Sequence, residues 1–177
     1  MHILITGGAG YIGSHACVEL LTAGHSVIVY DNFANSHLES LRRVECITAK
    51  KLVIIHGDIR DETALRSCLS TYECEAVIHF AALKSVGDSV QLPMAYYDNN
   101  VYGTLCLLRA MAACNVKRLV FSSSATVYGE PQSLPLTEDH PLSATNPYGR
   151  TKLIVEDMLR DLFKSDPSWC IALLRYF

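Results

Sequence analysis

The sequence lacks a membrane span: no apolar stretch in its 177 residues reaches the roughly 18 to 20 positions that a bilayer-crossing helix needs. It also lacks an excess of basic charge. Eighteen acidic against fifteen basic residues give a formal charge of −3, with no basic stripe of the kind that attracts phosphate backbones or acidic membranes. Neither nucleic acid nor a membrane is expected as a partner. The N-terminus shows no charged region followed by an apolar run and a cleavage site, so a soluble, cytoplasmic protein is expected. No C-x-x-C pair occurs among the seven cysteines, Cys17, Cys46, Cys68, Cys74, Cys106, Cys114 and Cys170, most of which sit in apolar runs. They are expected to be buried free thiols. None of the seven histidines pairs with cysteine or a carboxylate at a metal-ligand spacing, and no metal site is expected. Internal repeats, low-complexity segments and linkers are missing too.

What is present is apolar and periodic. Half of the residues are hydrophobic, enough for one ordinary domain with a sizeable core. Short β-branched runs recur at 2–6, 26–30, 51–56, 75–80, 118–123 and 170–176, with longer helical patterns between them. This is a βαβ rhythm. Near-continuous apolar strands call for cover on both sheet faces, so the expected fold class is α/β: a Rossmann-like, doubly wound parallel sheet with helices on both faces. Residues 1–177 are read as one such domain, ending at Phe177 directly after an apolar strand, as if cut off before a C-terminal substrate domain. Ligands of such sheets bind beyond the carboxyl ends of the strands. The segment 129–147 holds four of the six prolines and is expected to be a long surface loop after the fifth strand.

The first strand runs into "TGGAGYIGSH", where Gly8, Gly10 and Gly13 fit G-x-G-x-x-G, while Gly7, Gly10 and Gly13 fit G-x-x-G-x-x-G. Both frames describe one tight turn into a helix beginning near Tyr11, with room for a pyrophosphate at the positive helix end. A glycine turn without a ligand is the plainer alternative. Asp31 ends the second strand 18 residues beyond Gly13. A carboxylate there accepts hydrogen bonds from adenosine ribose hydroxyls and repels a 2′-phosphate, which favours NAD over NADP; the alternative is a cap or turn residue. Asp58, in "GDIRD" after the third strand, is either an acceptor for an adenine amino group or a helix N-cap. The small Ala81 and Ala82 after the fourth strand let the backbone pass close to a dinucleotide.

"NPYGRTK" places Tyr148 and Lys152 four positions apart, on one helix face. A free tyrosine has a pKa of about 10. A lysine ammonium one turn away and a positive nicotinamide ring both favour the phenolate, so Tyr148 is expected to act as a base with a lowered pKa; an exposed Tyr/Lys pair is the alternative. In "SSSATVYG" three serines end the fifth strand. Ser124 is best placed to hydrogen-bond a substrate oxygen, while Ser122 and Ser123 suit strand capping.

With "YDNF", "FAALKSVGDSV", "YYDNNVYGTL" and "ALLRYF" added to those four segments, the chain resembles the extended short-chain dehydrogenase/reductase family. Within it the UDP-galactose (UDP-glucose) 4-epimerases are the most similar, from Met1 to Phe177. The resemblance implies an NAD site lined by Gly7, Gly10, Tyr11, Ile12 and Gly13; by Asp31, Asn32, Phe33, Ala34, Asn35 and Ser36; and by Asp58 and Ile59. It adds Phe80, Ala81, Ala82, Leu83 and Lys84, then Asn99, Ser124, Tyr148, Lys152 and Phe177. Tyr148 is the implied base, with Ser124 and Lys152 as catalytic partners, and Lys84, Ser124 and Tyr148 are the implied contacts of a UDP-hexose. The implied reaction takes the sugar 4-OH proton and C4 hydride, rotates a 4-ketosugar and returns the hydride to its other face, with NAD staying bound. Sugar-nucleotide 4,6-dehydratases of this family carry Asp and Glu where this chain has Ala125 and Thr126. Other UDP-sugar epimerases and a non-catalytic NAD-binding module stay open. Family members are nearly twice as long, so these residues alone are expected to be inactive. Homodimers form through helices that here fall near 93–115 and 147–165, whose apolar faces equally suit plain core.

Overall fold

The six apolar runs form one parallel sheet in the computed structural model, which describes residues 1–177. Its strands are β1 (His2–Thr6), β2 (Ser26–Asp31), β3 (Val53–His56), β4 (Ala76–His79), β5 (Arg118–Ser124) and β6 (Cys170–Tyr176), in the order β3-β2-β1-β4-β5-β6. The chain works outward from β1 to one edge, then crosses back and works outward from β4 to the other. A crevice therefore opens beyond the carboxyl ends of β1 and β4, the point where strand order reverses. Thr6, at the end of β1, pairs with Tyr30 on one side and His79 on the other.

Alternation along each strand sends side chains to opposite faces. Ile3, Ile5, Val27 and Val29 pack under α1 (Tyr11–Thr22) and α2 (Leu38–Thr48). Leu4, Ile28, Val77, Leu119 and Phe121 pack on the other face, against α3 (Glu62–Thr71) and further helices. Those are α4 (Val86–Gln91), α5 (Pro93–Tyr96), a π-helical turn (Tyr97–Tyr102), α6 (Gly103–Ala113) and α7 (Pro147–Ser165), of which α6 and α7 supply most of the core contacts. No helix is long and apolar enough to cross a membrane. After β5, Ala125–Val127 make a single 3₁₀ turn and an exposed loop runs to Asn146, so the proline-rich loop falls where the proline content put it.

Two expectations need correction. Cys46 and Cys170 are exposed and Cys114 is partly so: Cys46 lies on the side of α2 away from buried Leu41 and Val44, and Cys170 starts the edge strand. Strand β6 is also not a doubly covered run. Its residues alternate between exposed and half-buried because nothing packs beyond this sheet edge in the described residues. Helix α6 is core along most of its length, whereas Val90, Leu92 and Met94 on α4, α5 and their junction are exposed.

Candidate active site

The glycine turn closes the bottom of the crevice. Gly7 has a φ of +70°, and a Cβ there would lie 2.6 Å from the Ala81 backbone nitrogen; one on Gly13 would lie 2.3 Å from the Gly7 carbonyl oxygen. Only hydrogen fits at either place. Helix α1 starts on Gly10 without a side-chain cap, so the N–H groups of its first turn are left for another acceptor. Gly7, Gly10, Tyr11, Ile12 and Gly13 all line the cleft.

Asp31 is 6% exposed and already engaged. Its Oδ2 accepts from the Ala9 N–H (2.9 Å), and its Oδ1 from the Phe33 N–H (2.9 Å) and the Ser36 hydroxyl (2.9 Å). A carboxylate offers about four acceptor positions, so Asp31 organises its turn and keeps little capacity for a ligand. The turn reading of this residue is the one its hydrogen bonds meet, although Asp31 also lines the cleft together with Asn32, Ala34 and Asn35. Phe33 and Ser36 stand behind them, Phe33 edge-on to His56 and Ser36 on Asp31.

Asp58 does not line the cleft, although its neighbours Gly57 and Ile59 do. Arg60 donates to both of its oxygens (Nε 2.9 Å, NH2 2.7 Å), with the Arg60 N–H (2.9 Å) and Asn32 Nδ2 (3.2 Å) adding to them. The guanidinium holds the Asp58 carboxyl well below the usual range. Arg60 also reaches Asp98 (2.6 Å). The N-cap of α3 is Asp61, which accepts from the Ala64 N–H.

Across the cleft, α7 begins on Asn146, whose side chain accepts from the Gly149 N–H (2.8 Å), with Pro147 in the first turn. That start brings Tyr148 and Lys152 onto the cleft wall. Lys152 is buried; its Nζ donates to the Ser122 carbonyl (2.7 Å) and lies 4.8 Å from the Phe121 ring centroid and 5.9 Å from that of Tyr148. Burial pushes its pKa down to about 8. The downward shift expected of Tyr148 from Lys152 and a nicotinamide ring does not hold for the protein alone: burial pushes its phenol up, nearby Ser124 opposes that, and Tyr96 adds to it. In the protein alone, desolvation outweighs the favourable contacts. Ser124, expected in the site, lies near Tyr148 but is not among the residues that line the cleft, where Ser122 stands instead; its Oγ accepts from the N–H (3.2 Å) and hydroxyl (3.0 Å) of Thr126.

A buried polar chain runs beneath the floor. The Thr104 hydroxyl donates to the Asn100 carbonyl (2.6 Å), so His79 Nε2 donates to Thr104 (2.8 Å), while Nδ1 lies 2.6 Å from the Thr6 hydroxyl. Burial first, then Lys152, lowers the His79 pKa to about 3, which favours the neutral ring with Nδ1 accepting from Thr6. Asn100 Nδ2 reaches Thr151 (3.1 Å), whose hydroxyl donates to the Tyr148 carbonyl (2.7 Å). On the buried side of α7, Glu156 accepts from Ser123 (2.5 Å), Arg160 (2.6 Å) and Arg175 (2.8 Å), tying β5 to β6.

Phe80, Ala81, Ala82, Leu83, Lys84 and Asn99 line the cleft as the resemblance implied. Phe177 does not: it is 88% exposed and stacks on Tyr128 with centroids 6.4 Å apart, because β6 delivers it to the far sheet edge. Tyr30, Gly57 and Ser122 line the cleft without having been singled out for it. Their signal was position alone, since each lies at or next to a strand's carboxyl end.

Known proteins share this fold. A family model described as GDP-mannose 4,6 dehydratase matches residues 4–177. The chain belongs to that family, a branch of the extended short-chain dehydrogenases/reductases. Within the family it is 57% identical to the UDP-glucose 4-epimerase of Bacillus subtilis (strain 168), over 100% of this chain and 52% of that protein. The Dictyostelium discoideum UDP-glucose 4-epimerase is likewise 57% identical, over 99% of this chain and 51% of that protein. The chain thus spans about half the length of the curated relatives it matches. Among solved structures, a Bifidobacterium longum UDP-glucose 4-epimerase in complex with NAD+ and UDP superposes with a TM-score of 0.98 at 52% identity, covering all of this chain and 53% of that one. A Stenotrophomonas maltophila UDP-glucose-4-epimerase with bound NAD and formylated UDP-arabinopyranose gives a TM-score of 0.98 at 48% identity, again covering 100% and 53%.

Proposed function

We propose that this chain is the NAD-binding half of a UDP-hexose 4-epimerase, an isomerase interconverting UDP-galactose and UDP-glucose. The observation that carries the reading is one cleft shared by an uncapped helix N-terminus on a glycine turn and by Tyr148 and Lys152, with Ser124 near the Tyr148 phenol. NAD fits the residues present: the glycine turn leaves space and free donors for a pyrophosphate, and the negative charge of Asp31, though its oxygens are held internally, lies with Asn32 and Asn35 on a wall that disfavours a 2′-phosphate. When bound, NAD supplies an acceptor for the C4 hydride and returns it. The chain's own residues handle the proton and the orientation. Tyr148 takes the sugar 4-OH proton, and Ser124 holds that oxygen by a hydrogen bond. Lys152, fixed by the Ser122 carbonyl, keeps a cation beside the phenol. Burial raises the Tyr148 pKa, and a further positive charge entering the cleft favours the phenolate. Lys84, the cleft's exposed cation, meets phosphate oxygens.

A 4,6-dehydration is disfavoured by the 3₁₀ turn after β5, which presents Ala125 and Thr126 and no carboxyl group. Without the relatives' second half, the chain is expected to bind NAD and to turn over nothing. In the whole protein, the helices near 93–115 and 147–165, on which Met94, Tyr102, Ile154 and Phe163 are exposed, supply a homodimer interface. Seven free thiols suit the reducing cytoplasm. The test is to denature the purified chain and identify what it releases. Near one NAD per chain supports the reading, and a folded chain that neither carries nor takes up NAD refutes it.

A further inference from the structure

Lys84 lies between two residues whose backbones are gripped from one helical stretch. Asn100, buried in the π-helical turn, accepts from the Leu83 N–H at Oδ1 (2.8 Å) and donates from Nδ2 to the Leu83 carbonyl (2.9 Å). One turn earlier, buried Tyr96 donates its hydroxyl to the Ser85 carbonyl (2.7 Å). Tyr96 and Asn100 are four residues apart in continuous helix, so they face the same way. Core packing explains the Tyr96 ring, but a phenylalanine would fill that space equally. The hydroxyl is also not needed to satisfy the Ser85 carbonyl, which already accepts from the Ser89 N–H (3.1 Å). What it adds is a fixed point on the far side of Lys84.

We propose that Tyr96 is a positioning residue: with Asn100 it immobilises the backbone on both sides of Lys84 and keeps that ammonium in the cleft for a nucleotide's phosphate oxygens. A lysine on a loose loop would lose backbone as well as side-chain freedom on binding, whereas here the backbone's share of that ordering is built in beforehand. The proposal rests on the nucleotide reading above for its ligand, and on the two grips for its geometry.

Two measurements on the purified chain test it. The first titrates NAD into nucleotide-free wild type, Tyr96→Phe, Lys84→Met and the double variant. Lys84→Met is expected to weaken NAD binding by about tenfold, as for a lost charge-assisted hydrogen bond, and Tyr96→Phe by less. The double variant should bind no worse than Lys84→Met, because Tyr96 acts through Lys84. Losses that multiply, or a Tyr96→Phe chain that binds like wild type, overturn the proposal. The second follows amide hydrogen exchange without nucleotide. Tyr96→Phe should expose the Leu83 amide to roughly tenfold faster exchange while Ile5 in β1 keeps its protection. Unchanged exchange at Leu83, or equal loss at Ile5, also overturns it. If wild type takes up no NAD, the nucleotide reading fails by itself, and the Leu83 result still decides whether the grip exists.

Discussion

At the β1 end of the cleft the walls are backbone, with Gly7, Gly10 and Gly13 leaving no room for a methyl group at Gly7 or Gly13 and no cap on α1. At the β5 end they are side chains, with Lys152 pinned by the Ser122 carbonyl and Tyr148 desolvated beside Ser124. The first end is suited to holding a ligand, because its donors are fixed and neutral. The second is suited to moving a proton, because its ionisable groups sit in an environment that a bound charge can retune. The two are joined by Thr6, His79, Thr104, Asn100 and Thr151, a closed set of hydrogen bonds under the floor. Such a network keeps the geometry of one end dependent on the other.

Substitutions should separate the two ends. In a chain of the relatives' full length, Tyr148→Phe is expected to lower epimerisation by about 10²- to 10⁴-fold, the usual worth of a general base, with NAD still released on denaturation. Near wild-type turnover would remove Tyr148 from the base role. Gly13→Ala does the reverse: its methyl group meets the Gly7 carbonyl, so stability should fall by roughly 3 kcal/mol or more in urea unfolding, and NAD uptake should go with it.

The joint between the ends should show itself through pH. His79 is neutral when folded, with a pKa lowered to about 3, against about 6.5 unfolded. The unfolded chain binds more protons in that interval, so stability is complete above the unfolded value and is lost as pH falls towards the folded one. Between pH 7 and pH 5 the loss should be about 2 kcal/mol, measured by urea unfolding, and His79→Gln should flatten the slope. Two carboxylates, Asp31 in the cleft wall and Asp98 on Arg60, give the smallest effects. Asp31→Asn turns an acceptor into a donor facing N–H or O–H groups and should cost about 1.5 kcal/mol, whereas Asp98→Asn, at an exposed ion pair, should cost below about 1 kcal/mol. Equal costs would mean that burial does not distinguish these carboxylates.

The glycine turn and the Tyr148/Lys152 pair were legible because their parts lie within a few residues of one another and their spacing is itself the geometry. Asp58 and Phe177 were not. Asp58 turned to Arg60, two residues on, and through it to Asp98; Phe177 followed the edge strand away from the cleft. Both outcomes depend on which partners the fold brings near. Of the adjacent asparagines in "YYDNN", motif resemblance pointed to Asn99, and the π-helical turn buried Asn100. Its hydrogen bonds to Leu83 and Thr151 span 17 and 51 residues, a range that local pattern does not encode.

By itself the sequence determined the strand and helix rhythm, the parallel sheet and the glycine turn, since these follow from periodicity and from the conformations that short local segments allow. The tertiary structure alone decided which ionisable groups are free. It occupied Asp31 and Asp58 with internal donors, raised the Tyr148 pKa, lowered those of Lys152 and His79, and left Lys84 as the exposed cation of the cleft. The physical reason is that protonation and hydrogen-bond capacity depend on burial and on neighbours distant in the chain, and these exist only once the sheet and helices have packed.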